Sequence, residues 1–161
     1  MIRERRGLLD AVVQPRQFLR DDDEIYFGLP DTVWYPKNCF SQLSAFEGAV
    51  SLGLFDTGSP EKFDSVYIDH CNVVQSVRVK DPHPETKWTW GIGRIMVGEI
   101  SKIVSPEGVN LNREVLMGEA LDIYSRNNVV TALRFDESSY IDIGEPNEYK
   151  RVEDFVSTYS K

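Results

Sequence analysis

"FGLPDTVWYP", residues 27–36, closes an apolar run, Ile25-Tyr26-Phe27, on Gly28, Pro30 and a single acid, Asp31, and then turns aromatic again. Two readings of Asp31 follow. Pro and Asp are common turn residues with good local reasons, so Asp31 is one residue of a tight turn. Alternatively, a carboxylate held at the carboxyl end of a buried strand grips a metal ion. The rest of the chain decides between them.

Working outward, residues 7–20, "GLLDAVVQPRQFLR", place Leu8, Leu9, Val12 and Val13 on one helical face, interrupted by Pro15. "EIYFGL" (24–29) reads as a buried strand, and "KNCFSQLSAFEG" (37–48) as a helix stopped by Gly48. "AVSLGLFD" (49–56) returns to strand. Residues 59–81 read as a hairpin turning at "HCN", with Val66, Ile68, Val73, Val77 and Val79 supplying β-branched positions. "KWTWGIGRIMV" (87–97) is a strand with two glycines where a neighbour can approach closely. "NREVLMGEALDIYSRN" (112–127) is an amphipathic helix capped by Asn112. "VVTALRF" (129–135) is a strand, "YIDIG" (140–144) a second strand stopped on an acid, and "EPNEYKRVEDFVSTY" (145–159) a closing helix with Pro near its first turn.

This order of helices, strands and one antiparallel hairpin predicts an α/β fold, a three-layer sandwich with a mixed sheet. The 161 residues form one domain. In open α/β sheets ligands gather at the carboxyl ends of strands, where "LPD" and "YID" both place an acid.

Composition narrows the function. A net charge of −8 without any Lys/Arg-rich block argues against nucleic acid as a partner. No apolar run reaches the length of a membrane span and no signal-peptide pattern is present, so a cytoplasmic location without membrane attachment is expected. Cys39 and Cys71 lack metal-ligand spacing and read as reduced thiols. His70 and Cys71 are adjacent, so in a strand they face opposite ways and make no shared ligand sphere.

Two carboxylates, Asp31 and Asp142, each closing an apolar strand, suit magnesium, which takes one or two carboxylates together with water and phosphate oxygens. Lys80, in "VRVKDPHP" (77–84), ends a hairpin strand where a Lys serves as a point charge for phosphate. Singly, each has a plainer reading: Asp31 a turn, Asp142 a helix approach, Lys80 a solvated tip.

In series, these segments resemble the later portion of the sugar-1-phosphate nucleotidyltransferases, the nucleotide-sugar pyrophosphorylases. "YFGLPDTVWYP" is similar to the strand whose terminal Asp holds magnesium. "NVVQSVRVKDPHP" resembles the hairpin ending in that family's Glu-Lys-Pro motif, and "WGIGRIMV" the sugar-side strand after it. "YIDIGEPNEYKRVEDFV" resembles the segment carrying the second metal-binding Asp. The resemblance implies a truncated nucleotide-diphospho-sugar transferase-like, Rossmann-like fold. It also implies Mg2+ on Asp31 and Asp142, Lys80 as the catalytic contact to a sugar 1-phosphate, and Gly91 as the place where the sugar approaches. Val79 stands in place of the motif's Glu and Asp81 in place of its Pro. The family's opening Gly-rich loop, which binds the triphosphate, has no counterpart in these residues.

The expected function is therefore a nucleotidyltransferase-like protein holding the sugar-phosphate and metal half of a site, not catalytic alone. A sugar-phosphate-binding or regulatory module, and an enzyme half completed by a complementary N-terminal chain, are the alternatives. Without the opening segment, "EIYFGL" is expected to have an unpaired edge, and the apolar faces of residues 7–20 and 112–127 to lose partners. That predicts a homo-oligomer.

Overall fold

The computed structural model describes residues 7–104, 115–144 and 149–159. Helix α1 (Gly7–Val13) gives way at Pro15, which has no N–H to continue it, to a 3-10 turn over Gln14–Phe18. Strand β1 (Glu24–Gly28) and strand β2 (Thr32–Tyr35) follow, then α2 (Cys39–Ser44) and β3 (Val50–Asp56). The hairpin is β4 (Ser65–Ile68) and β5 (Val74–Arg78), and the long strand is β6 (Trp88–Met96). Helices α3 (Ile100–Val104) and α4 (Met117–Ser125), strands β7 (Thr131–Phe135) and β8 (Ser139–Asp142), and α5 (Tyr149–Tyr159) complete the order. The expected caps Asn112 and Pro146 lie outside the described residues. Among the described residues no helix is long and apolar enough to cross a membrane.

The main sheet has the strand path β5-β4-β6-β3-β7, with β1 also on β6. It is mixed: β3 runs antiparallel to β6 and parallel to β7. On its other edge β6 takes β4 at Thr89 and β1 from Ile92 to Met96. The register between β3 and β6 slips at Gly53/Leu54, leaving Gly91 as the extra residue of a bulge. The hairpin's turn reaches the far edge of this path. Val74 N–H donates to the Val130 carbonyl at 2.9 Å and Ala132 N–H to the Asn72 carbonyl at 2.8 Å.

The alternation of β3 explains the layers. Val50, Leu52 and Leu54 enter one core with Val12, Ile100, Ile103, Ala120 and Leu121, so α1, α3 and α4 cover that face. Phe55 enters a second core with Cys39, Leu43, Ile92, Phe135 and Tyr140, under α2 and a two-stranded ribbon of β2 and β8. The fold is thus mixed α/β with a mixed sheet, as the order of elements predicts.

Three expectations need correction. Asp31 does not end β1, which stops at Gly28; it sits in the turn that opens β2. "YID" is not in the main sheet but pairs with β2, a four-residue strand that the sequence reading did not separate from β1. The helical faces do not lose their partners: Val12 of α1 and Met117, Ala120, Leu121 and Tyr124 of α4 are buried in the core. The spacing of these α4 residues makes one apolar stripe, and Glu119 caps the first turn by accepting from the Leu116 N–H at 3.2 Å. The outer edge of β1 pairs with no strand among the described residues.

Candidate functional site

A cavity of about 350 Å³ opens between the end of β3, the end of the hairpin, β8 and α5. Its lining includes Lys80, Asp142, Lys62 and Arg151, with Thr57, Ser59, Phe63 and Tyr140. Two residues far apart in sequence, Lys80 and Asp142, thus share one cavity. Lys62 and Arg151 add positive charge to its walls, beside the acid Glu61; neither was singled out in the sequence, where both read as ordinary charged residues of their segments.

Lys80 has φ of 45°, a left-handed conformation uncommon for a residue with a Cβ. Its backbone and charge lie close to the carboxylate of Asp64, the residue before β4. Burial raises the pKa of Asp64, opposed by hydrogen bonds from Trp90 and the Lys80 backbone and by the Lys80 charge. The next residue, Asp81, stands where the resembled motif has Pro and fixes the loop by other means. It accepts from the His83 N–H at 3.0 Å and pairs with the Arg78 guanidinium and the Tyr67 hydroxyl, both at 3.3 Å. The His83 bond, above all, lowers its pKa.

Asp31 and Asp142 come together across the β2–β8 ribbon. Thr32 faces Asp142 in register, and Ile143 N–H donates to the Asp31 carbonyl at 2.8 Å. One Asp142 carboxylate oxygen accepts from the Gly144 N–H at 2.7 Å. Asp31 and Asp142 are each a hard carboxylate donor of the kind that magnesium takes. Among the described residues no cluster of three or more His, Cys, Asp or Glu supplies an all-protein cage. Asp31 is not among the cavity-lining residues.

Gly91 is placed differently from the expectation. A Cβ there would collide with the rings of Tyr140 and Phe55, so the close approach that this glycine permits is filled by the chain itself. Tyr140, 1% exposed, carries its ring into that space, and its hydroxyl has no hydrogen-bond partner. Burial pushes the phenol pKa up, and the negative charges of Asp31, Asp142 and Asp64 push it further. The Thr32 hydroxyl lies beside the phenol and partly offsets the rise, but donates to the Leu29 carbonyl at 2.9 Å.

No protein-family profile and no curated protein sequence matches the chain. Solved structures do. A protein described as a glucose-1-phosphate thymidylyltransferase from Bacillus anthracis superposes with a TM-score of 0.75 at 16% identity, over 92% of this chain and 60% of that one. An inositol-1-phosphate CTP transferase from T. maritima gives 0.72 at 15%, over 92% and 60%. A UDP-glucose pyrophosphorylase from Acinetobacter baumanii gives 0.72 at 14%, over 95% and 57%. These likenesses establish a nucleotide-diphospho-sugar transferase-like fold. The chain spans about 60% of the length of the first two and 57% of the third.

Proposed function

We propose that these 161 residues bind a sugar 1-phosphate and constitute the sugar-phosphate and metal half of a nucleotidyltransferase-like site, without catalysing nucleotidyl transfer alone. The observation that carries this reading is the cavity that joins Lys80 to Asp142. Its lining carries three cations, Lys62, Lys80 and Arg151, beside the acids Glu61 and Asp142, with Lys80 as the point charge for a phosphate. Thr57 and Ser59 offer polar groups beside it, and Phe63 an apolar surface for a sugar ring. Asp31 and Asp142 would hold Mg2+, which when bound neutralises phosphate charge.

Catalysis in phosphoryl transfer is mostly positioning and charge neutralisation. These residues contain no Gly-rich loop to present oriented N–H groups to a triphosphate. Losing such donors commonly costs several kcal/mol, on the order of a thousandfold or more in rate.

Calorimetry with glucose 1-phosphate and with nucleoside triphosphates, magnesium present, tests the reading. Binding of the sugar phosphate with little pyrophosphate release is expected. Efficient turnover, or a preference for the triphosphate, overturns it. A second reading, an enzyme half completed by a complementary N-terminal chain, is favoured by the open edge of β1, where such a chain's strand would pair.

A further inference from the structure

Helix α5 meets the domain more lightly than α4 does. Met117, Ala120, Leu121 and Tyr124 of α4 are buried, whereas α5 buries none of its 11 residues. Its contact side is the half-buried stripe Val152, Phe155 and Tyr159. The Tyr159 ring stacks on Tyr35 of β2, 4.2 Å between centroids, and lies 4.9 Å from the ring of Phe155. Tyr149 and Val156 stay exposed. A helix held by so little buried apolar surface undocks at a low free-energy cost.

Yet α5 brings a charge to the cavity. Arg151, Phe155 and Tyr159 are spaced four apart and follow one side of the helix, so the docking that seats Tyr159 on Tyr35 also sets Arg151 at the cavity wall. Lys80 reaches the same cavity from the end of the hairpin. With Glu61 and Asp142 also in the lining, charges of both signs meet there, and an anion needs directed contacts rather than a general field. A guanidinium gives such contacts, because its planar fork donates two parallel hydrogen bonds to phosphate oxygens where a lysine offers a point charge.

We propose that α5 is an anion-responsive clasp: Arg151 grips the phosphate group bound in the cavity, so that filling the cavity and docking α5 favour one another. This rests on the sugar-phosphate reading above. The anion gives the docked helix a contact that its small apolar interface lacks. By linkage, whatever loosens α5 weakens binding of the anion. Neither Tyr35 nor Tyr159 lines the cavity; both are positioning residues that act through Arg151.

The test follows hydrogen exchange of the α5 amides by mass spectrometry and binding by calorimetry, magnesium present, with glucose 1-phosphate and inorganic phosphate as probes. The chains compared are the parent, Arg151→Ala and Tyr159→Ala. Saturating glucose 1-phosphate should slow α5 exchange in the parent but not in Arg151→Ala, which should bind about tenfold more weakly. Tyr159→Ala keeps every cavity cation, yet should exchange faster across α5 and bind roughly threefold more weakly or worse, because its docked form is less populated. Normal binding by Tyr159→Ala, or α5 exchange that the bound anion leaves unaltered, overturns the clasp. If Arg151→Ala binds glucose 1-phosphate as the parent does, the clasp falls and the sugar-phosphate site stands. Inorganic phosphate that slows α5 exchange through Arg151, in a chain blind to glucose 1-phosphate, sinks the sugar reading and leaves the clasp. A chain that binds neither anion loses both.

Discussion

The indole N–H of Trp90 donates to the Asp64 carboxylate at 3.2 Å, and the backbone and charge of Lys80 lie close to the same carboxylate. Even so, the acid has its pKa raised, because burial outweighs these contacts. The folded chain therefore holds this proton more tightly than the unfolded one. The stability so contributed is complete below the unfolded carboxyl value, about 3.9, and is lost as pH rises through the raised folded value. Asp64→Asn removes the titration and keeps an acceptor for Trp90. Urea unfolding at pH 4 and pH 7 should show the variant gaining on the parent as pH rises, and matching or exceeding it at pH 7. A difference moving toward the parent with pH would refute this.

Lys80 combines a strained backbone with a cavity-facing position. Glycine adopts φ of 45° without penalty, whereas a residue with a Cβ gives up about 1 kcal/mol or more there. Lys80→Gly should thus be as stable as the parent or more so, yet bind glucose 1-phosphate at least about tenfold more weakly through loss of a charged contact. Lys80→Ala should lose the binding without the gain in stability. A Gly variant that binds normally would remove Lys80 from the site.

At Gly91 the limit is steric. An added methyl group meets the rings of Tyr140 and Phe55, both buried and neither free to swing away. Gly91→Ala should destabilise the fold by about 1–3 kcal/mol, the usual cost of overpacking a core. The readout is the urea midpoint, and a neutral result would mean that the bulge relaxes around the methyl.

Assembly turns on β1. Its outer edge carries no partner strand among the described residues, and Phe18, 82% exposed, lies just before it in the chain. An open edge beside exposed aromatic surface is a template for pairing. Light scattering at micromolar concentration should return a dimer mass, and Tyr26→Lys, placing a charge on that edge, should shift it to monomer. A parent chain that is monodisperse as a monomer would defeat the expectation.

What was legible in the sequence was local. Val50, Leu52 and Leu54 alternate, so β3 was readable; Leu8, Leu9, Val12 and Val13 share a helical face, so α1 was too. The break at Pro15 followed from its missing N–H. The ribbon was not legible, because "TVWY" is a four-residue strand whose partner lies more than a hundred residues on, and no local pattern announces that pairing. Asp31, Lys80 and Asp142 were singled out as isolated polar residues ending or flanking apolar runs, and the structure brings Lys80 and Asp142 to one cavity. Asp64 could have been found the same way, since it too is an acid abutting a strand. Arg151 carried no such signal: only the docking of α5 brings it to the cavity. At Gly91 a glycine's freedom is visible in sequence, but the rings of Tyr140 and Phe55 packed against it are not.

The hairpin turn that reaches β7 has a kinetic consequence. Sequence separations of more than fifty residues are closed by two backbone hydrogen bonds, Val74 to Val130 and Asn72 to Ala132. Neither amide can meet solvent by fraying of one strand, since Val74 and Ala132 are both buried and each is clasped by a segment from the opposite end of the strand path. Their hydrogen exchange is therefore governed by cooperative opening of the whole domain. A turn, ordinarily the first part of a chain to exchange, here borders amides that should be among the last.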